Sequence, residues 1–123
     1  MQEQTKQGAQ PLNWAAFAGL QAELPVKDIE VPEWGVTVRI RTLTAWEREQ
    51  WERGAEASIA GGTFYAGLIA LCVVDGAGER VFVTDDQIAV LNRKAGNVVK
   101  RLYDECIAHN GIGRAAGEAA KKP

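Results

Sequence analysis

The chain has 123 residues, a net charge of −2, one histidine and two cysteines. That length suits one small domain with a single core, and a slightly acidic balance with no basic stripe argues against a nucleic-acid partner. The longest apolar run, Phe64–Val74, has eleven residues, short of the about 20 that a membrane span needs, so no membrane association is expected.

Met1–Gln10 is polar and Gln-rich, without the apolar stretch of a signal peptide. Cys72 and Cys106 sit in apolar helical contexts, which suits buried free thiols better than a disulfide framework. Together these features predict a soluble intracellular protein. Residues 1–11 read as a disordered tail, 12–110 as a single α+β domain and 111–123 as a flexible tail.

Within Leu12–Leu24 the residues Trp14, Phe17, Leu20 and Leu24 recur at intervals of three and four. That spacing predicts a short amphipathic helix capped by Asn13, whose apolar side would cover one edge of the core. Pro25 ends it.

Two strands follow. Ile29 and Val31 alternate with Asp28 and Glu30, and Val36, Val38 and Ile40 alternate with Thr37, Arg39 and Arg41. Period two places each set on its own face. Pro32-Glu33-Trp34-Gly35 between them suits a four-residue hairpin loop, since Pro presets φ and Gly permits φ > 0. With that loop Val31 faces Val36, Ile29 faces Val38 and Asp28 faces Arg39. Such cross-strand pairs favour a register by about 0.2–1 kcal/mol each.

Thr44-Ala45-Trp46-Glu47 is a capping box that opens a helix directly from the second strand. Arg48–Glu52 and Glu49–Arg53 are i,i+4 ion pairs on its outer side. Trp51, Ala55, Ser58 and Ile59 form its apolar stripe. Trp46 lies off that stripe and either packs back on the hairpin or is exposed. Gly61-Gly62 breaks the chain and Thr63 caps Phe64–Val74, apolar nearly all round and so predicted as a buried helix. Its β-branched end also admits a strand. Asp75–Gly78 is a turn. Arg80–Val83 is a short strand or an extended link that buries Val81 or Phe82. A second capping box, Thr84–Gln87, starts a short helix with Ile88 and Leu91 inward. Lys94–His109 is the last helix, with Val99, Leu102, Tyr103 and Cys106 inside, stopped by Asn110-Gly111. The predicted fold class is therefore α+β: an N-terminal antiparallel β-hairpin packed on a small bundle of about four helices.

No catalytic constellation emerges. His109 and Cys106 are spaced for a shared metal, but no second pair completes four-coordination. Neither cysteine has the electropositive, exposed setting of a reactive thiol. Ser58, the single serine, has no histidine nearby and no nucleophile elbow. The turn at residues 75–78 lacks the flanking pattern of a phosphate loop. The reading is a non-enzymatic protein with no cofactor and no metal. The tryptophans are the candidate binding residues. Trp34 at the hairpin tip either folds back on its own strands or anchors a partner, and rigid aromatics dominate binding hot spots.

The order of these signals carries a resemblance. The segment DIEVPEWGVTVRIRTLTAWERE resembles the front of the tail assembly chaperones of long-tailed bacteriophages. In those, a V-P-E-W-G turn leads to a V-x-V-R-x-L strand and an acidic helix. LIALCVVDGAGERVFVTDDQIAVL and RLYDECIAHNGI continue the likeness, which spans roughly Val26 to Ile112. The resemblance implies a non-enzymatic chaperone that binds the tape measure protein and the major tail (tube) protein during tail morphogenesis. It would act in the host bacterial cytoplasm and be absent from the mature virion. It leaves room for self-association. No family motif maps a binding residue, so Trp34, Trp46 and the Arg39/Arg41 face are candidates on physical grounds. Two other classes stand beside it: another virion morphogenesis protein such as a head–tail connector subunit, and a small regulatory protein-binding domain. Such chaperones are often made in two forms by a ribosomal frameshift. Adjacent lysine codons at Lys121-Lys122 suit a slippery run, and equally suit a plain solvated tail.

Overall fold

A computed structural model of the chain describes residues 11–20, 24–61 and 64–112, with side chains described outside 55–61. Of the expected tails at 1–11 and 111–123, residues 1–10 and 113–123 lie outside the described residues, as do the Gly62 break, the Thr63 cap and the Ala55, Ser58 and Ile59 stripe, whereas Ile112 is buried.

The elements in chain order are α1 (Trp14–Ala18), β1 (Val26–Val31), β2 (Val36–Arg41), α2 (Ala45–Gly61), α3 (Phe64–Cys72), β3 (Val73–Val74), α4 (Asp85–Asn92) and α5 (Gly96–His109). The fold is α+β: a three-stranded antiparallel sheet in the order β1-β2-β3, with the four longer helices built around its hairpin. The hairpin register is the expected one, with Val31 opposite Val36, Ile29 opposite Val38 and Asp28 opposite Arg39. Its loop is a 3₁₀ turn over Pro32–Trp34 closed by Gly35 at φ 67°, a left-handed conformation that costs a residue with a Cβ.

Both capping boxes form. Thr44 Oγ1 accepts from the Glu47 N–H at 3.1 Å and Glu47 Oε1 accepts from the Thr44 N–H at 3.0 Å. Thr84 and Gln87 repeat the arrangement on α4. The Arg48–Glu52 and Glu49–Arg53 pairs are present.

The core gathers Ile29, Val31 and Ile40 from the sheet, Leu68, Ile69 and Cys72 from α3, Leu91 from α4, and Val98, Val99, Leu102 and Cys106 from α5. Full burial of such a side chain stabilises by about 1.5–3 kcal/mol.

Several expectations are corrected. The first helix is only Trp14–Ala18. Asn13 does cap it, with Oδ1 accepting from the Ala16 N–H at 2.9 Å. It covers no edge of the core, however: Trp14 is 77 % exposed, and Leu12, Phe17 and Leu20 are also exposed. Spacing shows which residues share a face, but not whether a surface exists to receive them. The third helix ends at Cys72, and Val73–Val74 pairs instead with Arg39 and Ile40 of β2. Two adjacent β-branched residues gain ladder hydrogen bonds there that a last helical turn would lack. The hairpin is thereby a three-stranded sheet. The last helix begins at Gly96 rather than Lys94, and Val98 joins its inner stripe. Val36 is on the core-facing side of β2 but is 50 % exposed. In the 80–83 link it is Phe82, not Val81, that packs on the core.

The stop after α5 reaches further than Asn110. Gly111 takes φ 61°, its N–H donates to Ala108 O at 3.2 Å, and the Ile112 N–H donates to Ile107 O at 3.0 Å. This is the Schellman arrangement, which turns the next apolar residue back onto the helix. Ile112 is accordingly buried in the core cluster.

Candidate partner-binding site

The four candidate residues fall into different environments. Trp46 sits in the first turn of α2 and is 69 % exposed. Trp34 takes the first of the two expected courses: it folds back against the core cluster, where it stays half-buried. The two lie at opposite ends of β2, with about 20 Å of strand between them by the usual rise per residue. They do not form one patch.

Arg39 and Arg41 share a face of β2 by alternation, yet only Arg39 is a surface residue. Its Nε and Nη2 donate to the two carboxylate oxygens of Asp28 at 2.7 and 3.1 Å. The hydrogen bond from Arg39 holds the Asp28 carboxyl below its ordinary range. Arg41 is 9 % exposed. Its Nη1 and Nη2 donate to Glu47 Oε1 and Oε2 at 2.9 and 2.8 Å, and Nη2 also donates to Leu71 O at 2.8 Å. The Arg41 hydrogen bond is the main cause that lowers the Glu47 carboxyl to about 2.

The reason lies in α3. A helix leaves its last carbonyls without intrahelical partners. Leu71 O is met by Arg41, and Ala70 O is met by Arg80 Nε at 3.0 Å. Two arginines from different segments thus close the C-terminal end of α3, where the helix dipole favours cations. Alternation cannot foresee that a helix end will arrive over the last residue of β2.

Beside Trp34 lies a cleft of about 330 Å³. Its walls include Trp34, Val36 and Val38 from the hairpin, Phe82 from the link, Leu102 from α5 and Asp75 from the turn after β3. Short β3 makes this cleft. It pairs with β2 only at Arg39 and Ile40, so among the described residues no strand lies beside the edge of β2 over residues 36–38. The Asp75 turn then leads the chain away, with Asp75 Oδ1 accepting from the Ala77 and Glu79 N–H groups at 2.9 and 3.0 Å.

Cys72 and Cys106 are free and buried. A hydrogen bond to Cys72, together with burial, pushes the Cys106 thiol far above its ordinary range, opposite to what a nucleophile needs. The single histidine is tied down, with Nε2 donating to Pro25 O at 3.0 Å. Among the described residues no group of three or more His, Cys, Asp or Glu could hold a metal, and no helix is long and apolar enough to cross a membrane.

The architecture defines a small hairpin-and-helix α+β class that occurs among solved structures. One such structure is the tail assembly chaperone of bacteriophage HK97. It superposes with a TM-score of 0.58 over 81 % of this chain and 95 % of that chain, at 20 % sequence identity. No protein-family model matches the sequence, and no curated sequence matches it. At that identity the likeness is one of fold.

Proposed function

We propose that this chain is a non-enzymatic tail assembly chaperone of a tailed bacteriophage. In this reading it binds the tape measure protein and the major tail (tube) protein during morphogenesis in the host cytoplasm and is released before the virion is complete. One observation carries the proposal: the fold is shared, over nearly the whole of the other chain, with a tail assembly chaperone. The order of sequence signals from Val26 to Ile112 points the same way. A chaperone for a long, apolar, helical partner needs apolar or aromatic surface set among polar groups. Trp46, Trp34 and Arg39 offer that surface, at two separate places. Arg41 acts from inside, by holding the start of α2 on which Trp46 is displayed.

The test is co-expression of the chain with a tape measure protein from the same phage genome. The chain should keep the tape measure protein soluble and co-purify with it. It should be absent from finished particles, as judged by mass spectrometry of purified virions. Recovery of the chain in stoichiometric amounts from virions would instead favour a connector subunit. The gene decides whether a longer form exists: a slippery run at codons 121–122 with an overlapping downstream frame is expected for one.

A further inference from the structure

We propose that the cleft beside Trp34 is a strand-addition site, taking an extended partner segment that is apolar at alternate positions and basic at its N-terminal end. The inference deepens the chaperone reading and rests on it for the partner's origin. Its own grounds are three properties of the cleft.

The first is the free edge. β3 ends after Val74, so the ladder on that side of β2 stops at Arg39. Among the described residues no strand covers 36–38 on that side, and alternation along the ladder turns the N–H and C=O of Thr37 to the open cleft; an unpaired edge is a template for another extended chain. β3 runs antiparallel to β2 towards the hairpin tip. A strand that continues its line would start next to Asp75 and end near Trp34.

The second is the floor. Val36, Val38, Phe82 and Leu102 line the cleft, and Val36 is half exposed although it faces the core side. Every second side chain of an added strand points to that floor.

The third is charge. The cations around the cleft are already engaged: Arg39 by Asp28, Arg101 by Glu33, and Arg80 by the Ala70 and Phe82 carbonyls. Asp75 lines the cleft, and Glu79 is joined to it across the turn: the Asp75 N–H donates to Glu79 O and the Glu79 N–H donates to Asp75 Oδ1. Neither carboxylate forms an ion pair among the described residues. The end of the cleft where an added strand begins therefore carries two carboxylates with no ion-pair partner among the described residues, and a lysine or arginine there is complementary.

The probe is the capped hexapeptide Lys-Val-Thr-Val-Thr-Val, compared with the same peptide led by glutamate and with one carrying proline in place of the first threonine, the residue that would lie opposite Thr37 and donate to it. Binding is read by titration, and hydrogen exchange reads the amides of residues 36–38. The lysine peptide should bind about tenfold tighter than the glutamate peptide, and the preference should shrink in high salt. The proline peptide should bind worst, because it lacks a ladder donor. At least one amide within 36–38 should gain protection of about tenfold or more at saturation. Glu79→Lys should erase the charge preference. Val36→Asp should abolish binding while the amides of Leu68 and Leu102 keep their protection. Equal affinity for the two charged peptides, or no protection at 36–38 at millimolar peptide, overturns the proposal. The two readings fail separately. A chain that binds the peptide but no tail protein overturns the chaperone reading. A chain whose Val36→Asp variant still co-purifies with the tape measure protein, with no peptide binding in the parent, overturns this one.

Discussion

The two ends of β2 differ sharply although they share one strand and one alternation. At the Ile40–Arg41 end everything is committed. Ile40 is fully buried, Arg41 joins Glu47 to the end of α3, and β3 pairs alongside. Asn110 closes this end from α5, accepting from the Leu43 N–H at 2.7 Å and donating to Cys106 O at 3.0 Å. At the Val36–Val38 end the inward face looks into a cleft, and the edge away from β1 is unpaired among the described residues. The contrast teaches that alternation assigns faces, while the neighbours that arrive from elsewhere decide whether a face is core, clamp or binding surface.

Substitutions can break or sharpen that contrast. The largest effects belong to the committed end. Leu68→Ala, in the fully buried part of α3, should cost ~2–5 kcal/mol in denaturant unfolding, whereas Val36→Ala at the open end should cost under ~0.5 kcal/mol. Glu47→Ala leaves Arg41 buried without its carboxylate and should cost about 3 kcal/mol.

The Glu47 pair also sets a pH dependence. Its carboxyl lies at about 2 in the fold against an ordinary 4.5. A lowered folded value stabilises fully above the ordinary value and is lost as pH falls from there towards 2. Acid titration of Glu47→Gln should therefore show a flatter decline across that window than the parent chain.

Asn110→Ala removes the acceptor for the Leu43 N–H and should cost about 1–3 kcal/mol, with hydrogen exchange at Leu43 rising first. Thr84→Ala should cost about 1 kcal/mol through loss of the α4 cap. Smallest of all, Trp46→Ala should leave stability within ~0.5 kcal/mol yet weaken partner binding by about 2 kcal/mol if that ring is an anchor. Lost stability with unchanged affinity would return Trp46 to a structural role.

Much of the fold is legible in the sequence because its signals are local. The hairpin register follows from two alternating runs around a Pro…Gly loop, and both capping boxes follow from three-residue spacings. What stays hidden depends on distant partners. Arg41 looks like a surface arginine until the end of α3 is placed beside it. Val73 and Val74 continue an apolar run and declare themselves a strand only because β2 offers an edge. Trp14 and Phe17 have helical spacing but no receiving surface among the described residues. Of the candidate site, Trp34 and Trp46 could be named from the sequence. The cleft beside Trp34 could not, because Phe82, Leu102 and Asp75 belong to three later segments.

The Asn110 clasp has a consequence for synthesis on the ribosome. It joins residue 110 to residues 41 and 43, contacts across more than half of the chain. The hairpin and the start of α2 can form early, since their contacts are local, but long-range closure waits for the last partner. Until α5 has emerged from the exit tunnel, the Leu43 amide lacks its acceptor and Ile40 lacks part of its cover. The nascent chain would then carry an open sheet from the emergence of the hairpin until α5 follows, and anything that engages it before residue 112 appears would meet a different surface from the one the finished domain presents.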